Sequence, residues 1–312
     1  MYTSASALLL KTAMQSFWNT YYTIADPFDG LVDVQQSTQE TETRAFLGAA
    51  PMPEEWISDD NVKAANEYSY TAKNKAWKGG VRIPKNLIKF QQWDEIGRHV
   101  ANLGEKARAH RTKKLSEMLN TGTVATGADD DPFFDTAHEW EGAEYTTAQN
   151  NDLTSVAADA DFPTDLEFAA ALRGMFDTFW SFKDDRGDPM TPNSDSPENF
   201  ICMVPPKYRS IALRVMRADS LTGPLGSDLK GLFTVRVNPF LTAPTTTGKF
   251  YLCYSGSNHK PLILQEAGGL QFSDNLQGEE YRSRGSAVFD VSWWGETIYG
   301  NYVTAVLHTF TE

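Results

Sequence analysis

The sequence predicts an α+β fold, and three observations carry that expectation. Helical and strand-like patterns interleave along the 312 residues without a regular βαβ rhythm. One apolar stripe at helical spacing runs from Gln92 to Asn120, longer than an average globular helix. The last third of the chain reads mostly as strands. With 41% hydrophobic and 22% charged residues the composition is globular, which excludes a disordered or collagen-like chain.

Taken in order, residues 5–22 place Ala5, Leu8, Leu9, Ala13 and Phe17 at i, i+3, i+4 spacing, which predicts a short amphipathic helix. The polar stretch Asp26–Thr43, broken by Pro27 and Gly30, reads as an extended arm with little core of its own. From Tyr68 to Ile83, aromatic and β-branched residues alternate around Gly79–Gly80, predicting a basic hairpin or looped pair of strands. In the long helix, Asp94 and Glu95 occupy the first turn and Gly122 marks the stop. Its stripe is Ile96, Val100, Leu103, Ala107, Leu115, Met118 and Leu119. Residues 121–165 read as loop-rich and acidic, and Asp165–Phe182 as a helix. Phe200–Val204 reads as a buried strand, and Pro205–Pro206 opens a helix across Lys207–Ala218. Strands are expected at Leu232–Val237, Phe250–Tyr254, Leu262–Gln265, Ala287–Trp294 and Tyr302–Phe310.

The net charge is −13, which argues against a surface that grips nucleic acid or anionic membrane throughout. Its distribution is uneven. Residues 63–114 carry 13 Lys/Arg against 4 Asp/Glu, whereas residues 1–62 have a net charge of −7 and residues 115–200 of −16. Such blocks can pair within one chain or between copies. No apolar run approaches the roughly 20 residues that span a bilayer, and no basic residues precede Leu8–Leu10 as in a signal peptide. Cys202 and Cys253 lie in apolar runs and read as small core residues of a protein in a reducing compartment.

Catalytic patterns are missing. Thr247-Gly248-Lys249-Phe250 lacks both the first Gly and the closing Ser/Thr of a phosphate-binding loop. The five histidines have no zinc-ligand spacing, so no metal or cofactor is expected. Asp129–Asp131 with Asp135 lacks the spacing of a calcium loop and reads as a solvated acidic loop. His138 reads as a packed structural histidine, because no nucleophile accompanies it. No enzymatic activity is expected.

Several pieces, in order, carry a family resemblance. They are Ser37-Thr38, Phe46-Leu47-Gly48, Pro51-Met52-Pro53-Glu54-Glu55-Trp56, Tyr68-Ser-Tyr-Thr, Asn74–Trp77 and Leu115-Ser-Glu-Met-Leu-Asn-Thr-Gly122. Asp131-Pro-Phe-Phe-Asp-Thr-Ala-His138, Lys260-Pro-Leu-Ile-Leu-Gln265 and Tyr299-Gly300 follow. In these the chain resembles the major head subunit of Mu-like tailed phages. It departs at Ile88-Lys89-Phe90-Gln91, where the family has an acidic run, and at Pro132, where it has Gly. The resemblance implies the tailed-phage/herpesvirus major capsid fold, with an N-terminal arm (1–61), an extended two-stranded loop (62–91) and a peripheral domain on a spine helix (92–162). An axial domain (163–284) and a return to the peripheral domain (285–312) complete it. It also implies self-assembly as hexamers and pentamers into an icosahedral shell around double-stranded DNA, enclosed without sequence recognition. Portal, scaffold and decoration proteins would be the partners, in a virion built in the bacterial cytoplasm, with no membrane. An encapsulin-like shell enclosing protein cargo is the alternative. Under this reading the inter-subunit contact candidates are Phe17 and Trp18 of the arm with Lys73, Lys75, Trp77, Lys78, Arg82, Lys85 and Lys89 of the basic loop, Trp77 being its apolar anchor.

Overall fold

Among the described residues, two sheets share one long helix, and a two-stranded ribbon stands apart from both. The computed structural model describes residues 4–47, 67–127, 129–139, 145–190, 199–219, 228–241, 247–257, 259–276 and 286–312. The helices are α1 (Ser4–Thr23), α2 (Lys85–Lys89), α3 (Trp93–Thr121), α4 (Asp165–Ser181) and α5 (Arg209–Arg217). The strands are β1 (Val32–Gln36), β2 (Thr41–Leu47), β3 (Glu67–Lys73), β4 (Lys75–Pro84), β5 (Asp152–Val156), β6 (Phe200–Val204), β7 (Thr234–Val237), β8 (Thr247–Tyr254), β9 (Leu262–Asp274), β10 (Ser286–Tyr299) and β11 (Ala305–Thr311). They form a four-stranded sheet β1-β9-β10-β4, a five-stranded sheet β5-β11-β8-β6-β7 and the ribbon β2-β3.

Helix α3 belongs to two cores. Its first half buries Ile96 and Val100 against Leu9, Ala13 and Phe17 of α1 and against Ile83, Phe289 and Val291 of the four-stranded sheet. Its second half buries Leu115 and Leu119 in the larger core of the five-stranded sheet. Between the two stands Gly104, where a Cβ would come within 2.7 Å of the Phe17 carbonyl oxygen. The glycine is what lets α1 lie this close.

The larger core gathers α4 and α5 over β6, β8 and β11. Helix α4 starts at a capping box, in which Thr164 accepts from the Glu167 N–H and Glu167 accepts from the Thr164 N–H. Its apolar face (Phe168, Leu172, Met175, Phe176, Phe179) is buried in this core, with Phe168 stacked on Phe250 of β8 and Phe176 and Phe179 against Phe200 of the wholly buried β6. Cys202 and Cys253 are both buried, as expected, and burial pushes the Cys253 thiol up to about 12.

Four expectations are corrected. The stretch after Asp26 is packed: Phe28 and Leu31 are buried, and β1 pairs in parallel with β9. Arg236 ties it down by donating to the Pro27 carbonyl at 3.1 Å and to the Asp29 carbonyl. Four apolar residues, Phe28, Leu31, Val32 and Val34, stand at the start of a long polar run and sustain no period along it. Second, no hairpin forms within 68–83, because β3 pairs with β2 and β4 with β10. Gly79–Gly80 lies inside β4, where the Asp290 carboxylate folds into the space a Cβ at Gly80 would need. Third, the acidic stretch 121–165 contains β5, held in parallel on β11. Fourth, β9 extends to Asp274, well past the expected Leu262–Gln265, and joins β10 in the four-stranded sheet.

Candidate functional site

The ribbon joins the body through Ser37–Glu40 on the β2 side and through a single residue on the β3 side. Asn74 separates β3 from β4 and is buried, with its Nδ2 donating to Ser37 Oγ at 2.9 Å and to the Gln39 carbonyl at 2.7 Å. Its Oδ1 accepts from Gln265 Nε2 at 2.9 Å. Both strands of the ribbon thus leave the body at one polar knot.

The contact candidates fall into three groups. Phe17 is wholly buried in the chain's own core, against Trp18 and Phe272, so the structure corrects its placement on a docking face. Trp18 is half-buried and stacks on Tyr22, whose ring is exposed. Among the basic residues, Lys73 pairs with Glu40 at 3.2 Å, Lys75 with Glu296 at 2.5 Å and Lys78 with Asp290 at 3.3 Å. Arg82 is exposed opposite Val288, and Lys89 stands at the exposed end of α2 over the ring of Phe90. Lys85 opens α2, and its side chain lies outside the described residues. Further along, Arg108 meets Asp26 at 3.3 Å and Arg111 meets Glu266 at 3.9 Å. Part of the basic block is therefore answered by acids of the same chain, from the arm and from β9 and β10.

Trp77 is packed on its own body. Its indole N–H donates to the Gly295 carbonyl at 3.2 Å, its ring lies 4.9 Å from His110 and 6.1 Å from Trp293, and the Lys114 ammonium sits 4.5 Å above it. Beside it opens an apolar cavity of about 220 Å³ between α3 and the four-stranded sheet, walled by Leu103, Ala107, Leu270, Val291 and Trp293. Burial, with Lys114 alongside, lowers the pKa of His110 at its edge.

His138 is fully buried. Its Nδ1 lies 2.7 Å from Asp129 Oδ2, its Nε2 lies 3.1 Å from Asn151 Oδ1, and its ring stacks on Tyr302 at 3.8 Å. Asp129 is thus a buried partner of the histidine, which corrects the solvated-loop expectation for that residue. Ligand atoms of Asp129, Asp131 and His138 lie within 4.8 Å of one another, yet both imidazole nitrogens already have protein partners. Burial, followed by the Asp129 charge, raises the pKa of Asp131.

Sequence pieces scattered over nearly 190 residues converge at the end of α3. Phe134 donates its N–H to the Gly122 carbonyl at 2.9 Å, and Phe133 stacks on Tyr299 at 4.7 Å. The Tyr299 hydroxyl donates to Met118 at 2.8 Å, and Gly300 N–H donates to the Pro261 carbonyl at 2.8 Å. Sequence reading missed this convergence and the exposed rings of Phe90, Phe162 and Trp294. An isolated aromatic in sequence does not reveal which face it occupies.

Comparison with known proteins agrees with this architecture. A chain of the bacteriophage JBD30 procapsid superposes with a TM-score of 0.58 at 17% identity, covering 100% of this chain and 76% of that one. A capsid chain of the cyanophage P-SCSP1u gives 0.63 at 10% identity over 92% of this chain and 89% of that one. A virus-like particle chain from Pyrococcus furiosus gives 0.53 at 8% over 94% and 96%. These likenesses show the capsid fold, and with it the α+β class. In sequence, the Mu-like prophage FluMu major head subunit of Haemophilus influenzae is 27% identical over 130 residues, 42% of each chain, so the alignment spans less than half of that relative. The family described as Mu-like prophage major head subunit gpT matches residues 7–164, about half of the chain, from α1 through the ribbon and α3 to the start of α4. On that match, the chain belongs to the Mu-like prophage major head subunit family.

Proposed function

We propose that the chain is the major capsid protein of a tailed phage or prophage, assembling as hexamers and pentamers into an icosahedral shell around double-stranded DNA. The observation that carries this reading is the family match over 7–164, which covers the ribbon and the spine helix together. The work is association summed over many copies, and no catalytic step is needed. Among the described residues the one buried histidine–carboxylate pair serves packing, and no helix is long and apolar enough to cross a membrane. The ribbon, with Lys73 at its base, together with Trp18, Lys75, Trp77, Lys78, Arg82, Lys85 and Lys89, forms the zone turned toward neighbouring copies. An isolated two-stranded ribbon is marginally stable in water, so a neighbour's surface is what it needs. Portal, scaffold and decoration proteins complete the head in the host cytoplasm, and DNA is enclosed without being read.

Electron microscopy of particles from cells expressing the chain alone tests this. Closed shells of regular size are expected, and a chain that stays monomeric at micromolar concentration overturns the reading. A shell filled with protein cargo instead of DNA in the phage-producing host would favour the encapsulin-like alternative.

A further inference from the structure

We propose that Phe162 of one copy seats in the Trp77–Trp293 cavity of a second copy, a head-to-tail contact that closes copies into rings. This deepens the shell-subunit reading and rests on it.

The cavity supplies a slot for a ring. Its aromatic walls, Trp77 and Trp293, are stacked at 19°, and Leu103, Ala107 and Val291 close its floor. Its rim is basic: Lys78 and Lys106 line it, and Lys114 covers the outer face of Trp77. Lys78 and Lys114 already meet Asp290 and Glu117, whereas Lys106 has no carboxylate partner among the described residues. The occupant should therefore be aromatic and flanked by negative charge.

Phe162 meets that description. Its side chain is 69% exposed, and Leu166 beside it is 49% exposed. Asp159, Asp161, Asp165 and Glu167 surround them in sequence. Asp161 and Asp165 pair with Lys207 and Arg214, but Asp159 and Glu167 accept hydrogen bonds from backbone N–H groups and from Thr164 and meet no cation among the described residues. Surplus negative charge here answers the surplus positive charge at the cavity. The ring is also held out by a fixed turn, since the Phe162 N–H donates to the Asp159 carbonyl at 3.1 Å and to its side chain at 3.2 Å. A preorganised projection loses little freedom on docking. The Lys207 ammonium lies 4.8 Å over the Phe162 ring and is paired with Asp161, so the ridge keeps its negative surplus. Other exposed rings fit less well: Phe90 follows Lys85 and Lys89 in the basic block and so lacks the acidic flank, and Trp294 neighbours the already paired Lys75 and Glu296.

Ridge and cavity lie on different parts of the chain, one at the start of α4 on the five-stranded sheet, the other against the four-stranded sheet. Two dissimilar patches that fit each other make a heterologous interface, and such an interface closes into rings when the rotation permits.

The test mixes two single-cysteine variants of the full chain, Leu166→Cys beside the retained Phe162 ring and Lys106→Cys, during assembly and treats the product with a short bis-maleimide. Cys202 and Cys253 are buried, so the unaltered chain is the blank. Cross-linked dimers from the mixture, and none from either variant alone, are the expected result. Shells in normal yield without dimers overturn the contact and leave the shell reading standing, whereas an unaltered chain that forms no oligomer removes both. In a second arm, Phe162→Ala should raise the concentration needed for assembly by about tenfold or more, with the monomer's melting temperature unchanged. Assembly equal to the unaltered chain overturns the proposal.

Discussion

His138 Nδ1 and Asp129 Oδ2 lie 2.7 Å apart with neither side chain exposed by more than 4%. The orientation of the imidazole is set from the other side. Asn151 Nδ2 donates to the carbonyls of Phe133, Tyr302 and Ala305, so its Oδ1 faces His138 Nε2 and accepts from it. Nδ1 is left facing the Asp129 carboxylate. Asp129→Asn leaves the ring against an amide in a site built for a carboxylate, and should cost about 3–5 kcal/mol in denaturant unfolding. Asp131→Asn should be neutral or stabilising, because burial and Asp129 already disfavour its charge.

Acid should act through His308. It is 3% exposed between Phe250 and Phe310, with Nε2 bonded to Ser155 Oγ at 3.1 Å and Nδ1 without a partner among the described residues. Burial lowers its pKa from 6.5 to about 4. The unfolded chain therefore takes up the proton first, so this contribution is fully present above pH 6.5 and is lost as pH falls toward 4, by about 3 kcal/mol. His308→Gln keeps a hydrogen-bonding group and should flatten that part of the stability–pH curve, measured by urea unfolding.

Two glycines on α3 should respond in opposite ways. Gly104→Ala drives a methyl into the Phe17 carbonyl and should destabilise by about 1–3 kcal/mol despite better helix propensity. At Gly97 the nearest atom to a Cβ would be Ser16 Oγ at 3.6 Å, so Gly97→Ala should gain up to about 1 kcal/mol. Thermal melts of the two variants check both.

Trp77→Ala should lower the stability of the monomer itself, by about 2–3 kcal/mol, since the ring is packed against Trp293 and His110 and its N–H is bonded. Equilibrium unfolding under non-assembling conditions measures it. An assembly defect in this variant reads as a contact effect only beyond that loss.

Raising the salt concentration should weaken assembly where exposed lysines face acidic surface of a neighbour, while the monomer changes little. Light scattering across a salt series tests this. Lys75 and Lys78, already paired with Glu296 and Asp290, should contribute less than Lys106.

The elements built on sustained periodicity were legible in the sequence. Helix α3 starts and stops within a residue of its expected bounds, and α1, α4 and β6 fall where spacing and turn residues put them. What escaped were pairings between distant segments. β1 is a strand because β9 stands beside it, and β3 abandons its neighbour β4 for β2. Periodicity identifies a strand's faces but is silent about its partner. At the candidate site, lysine positions were legible, but their acids were not: Glu40, Asp290 and Glu296 reach them only through the folded sheet.

The one-residue joint at Asn74 has a mechanical consequence. With no slack between β3 and β4, a pull on the ribbon passes straight along β4, whose residues Lys75–Pro84 are laddered to β10 residue by residue. Force applied along such a ladder loads its hydrogen bonds together, in shear, instead of peeling them one at a time. Tension from a neighbour holding the ribbon would be spread through the four-stranded sheet to α3, so the segment that looks most detachable is anchored like a tendon.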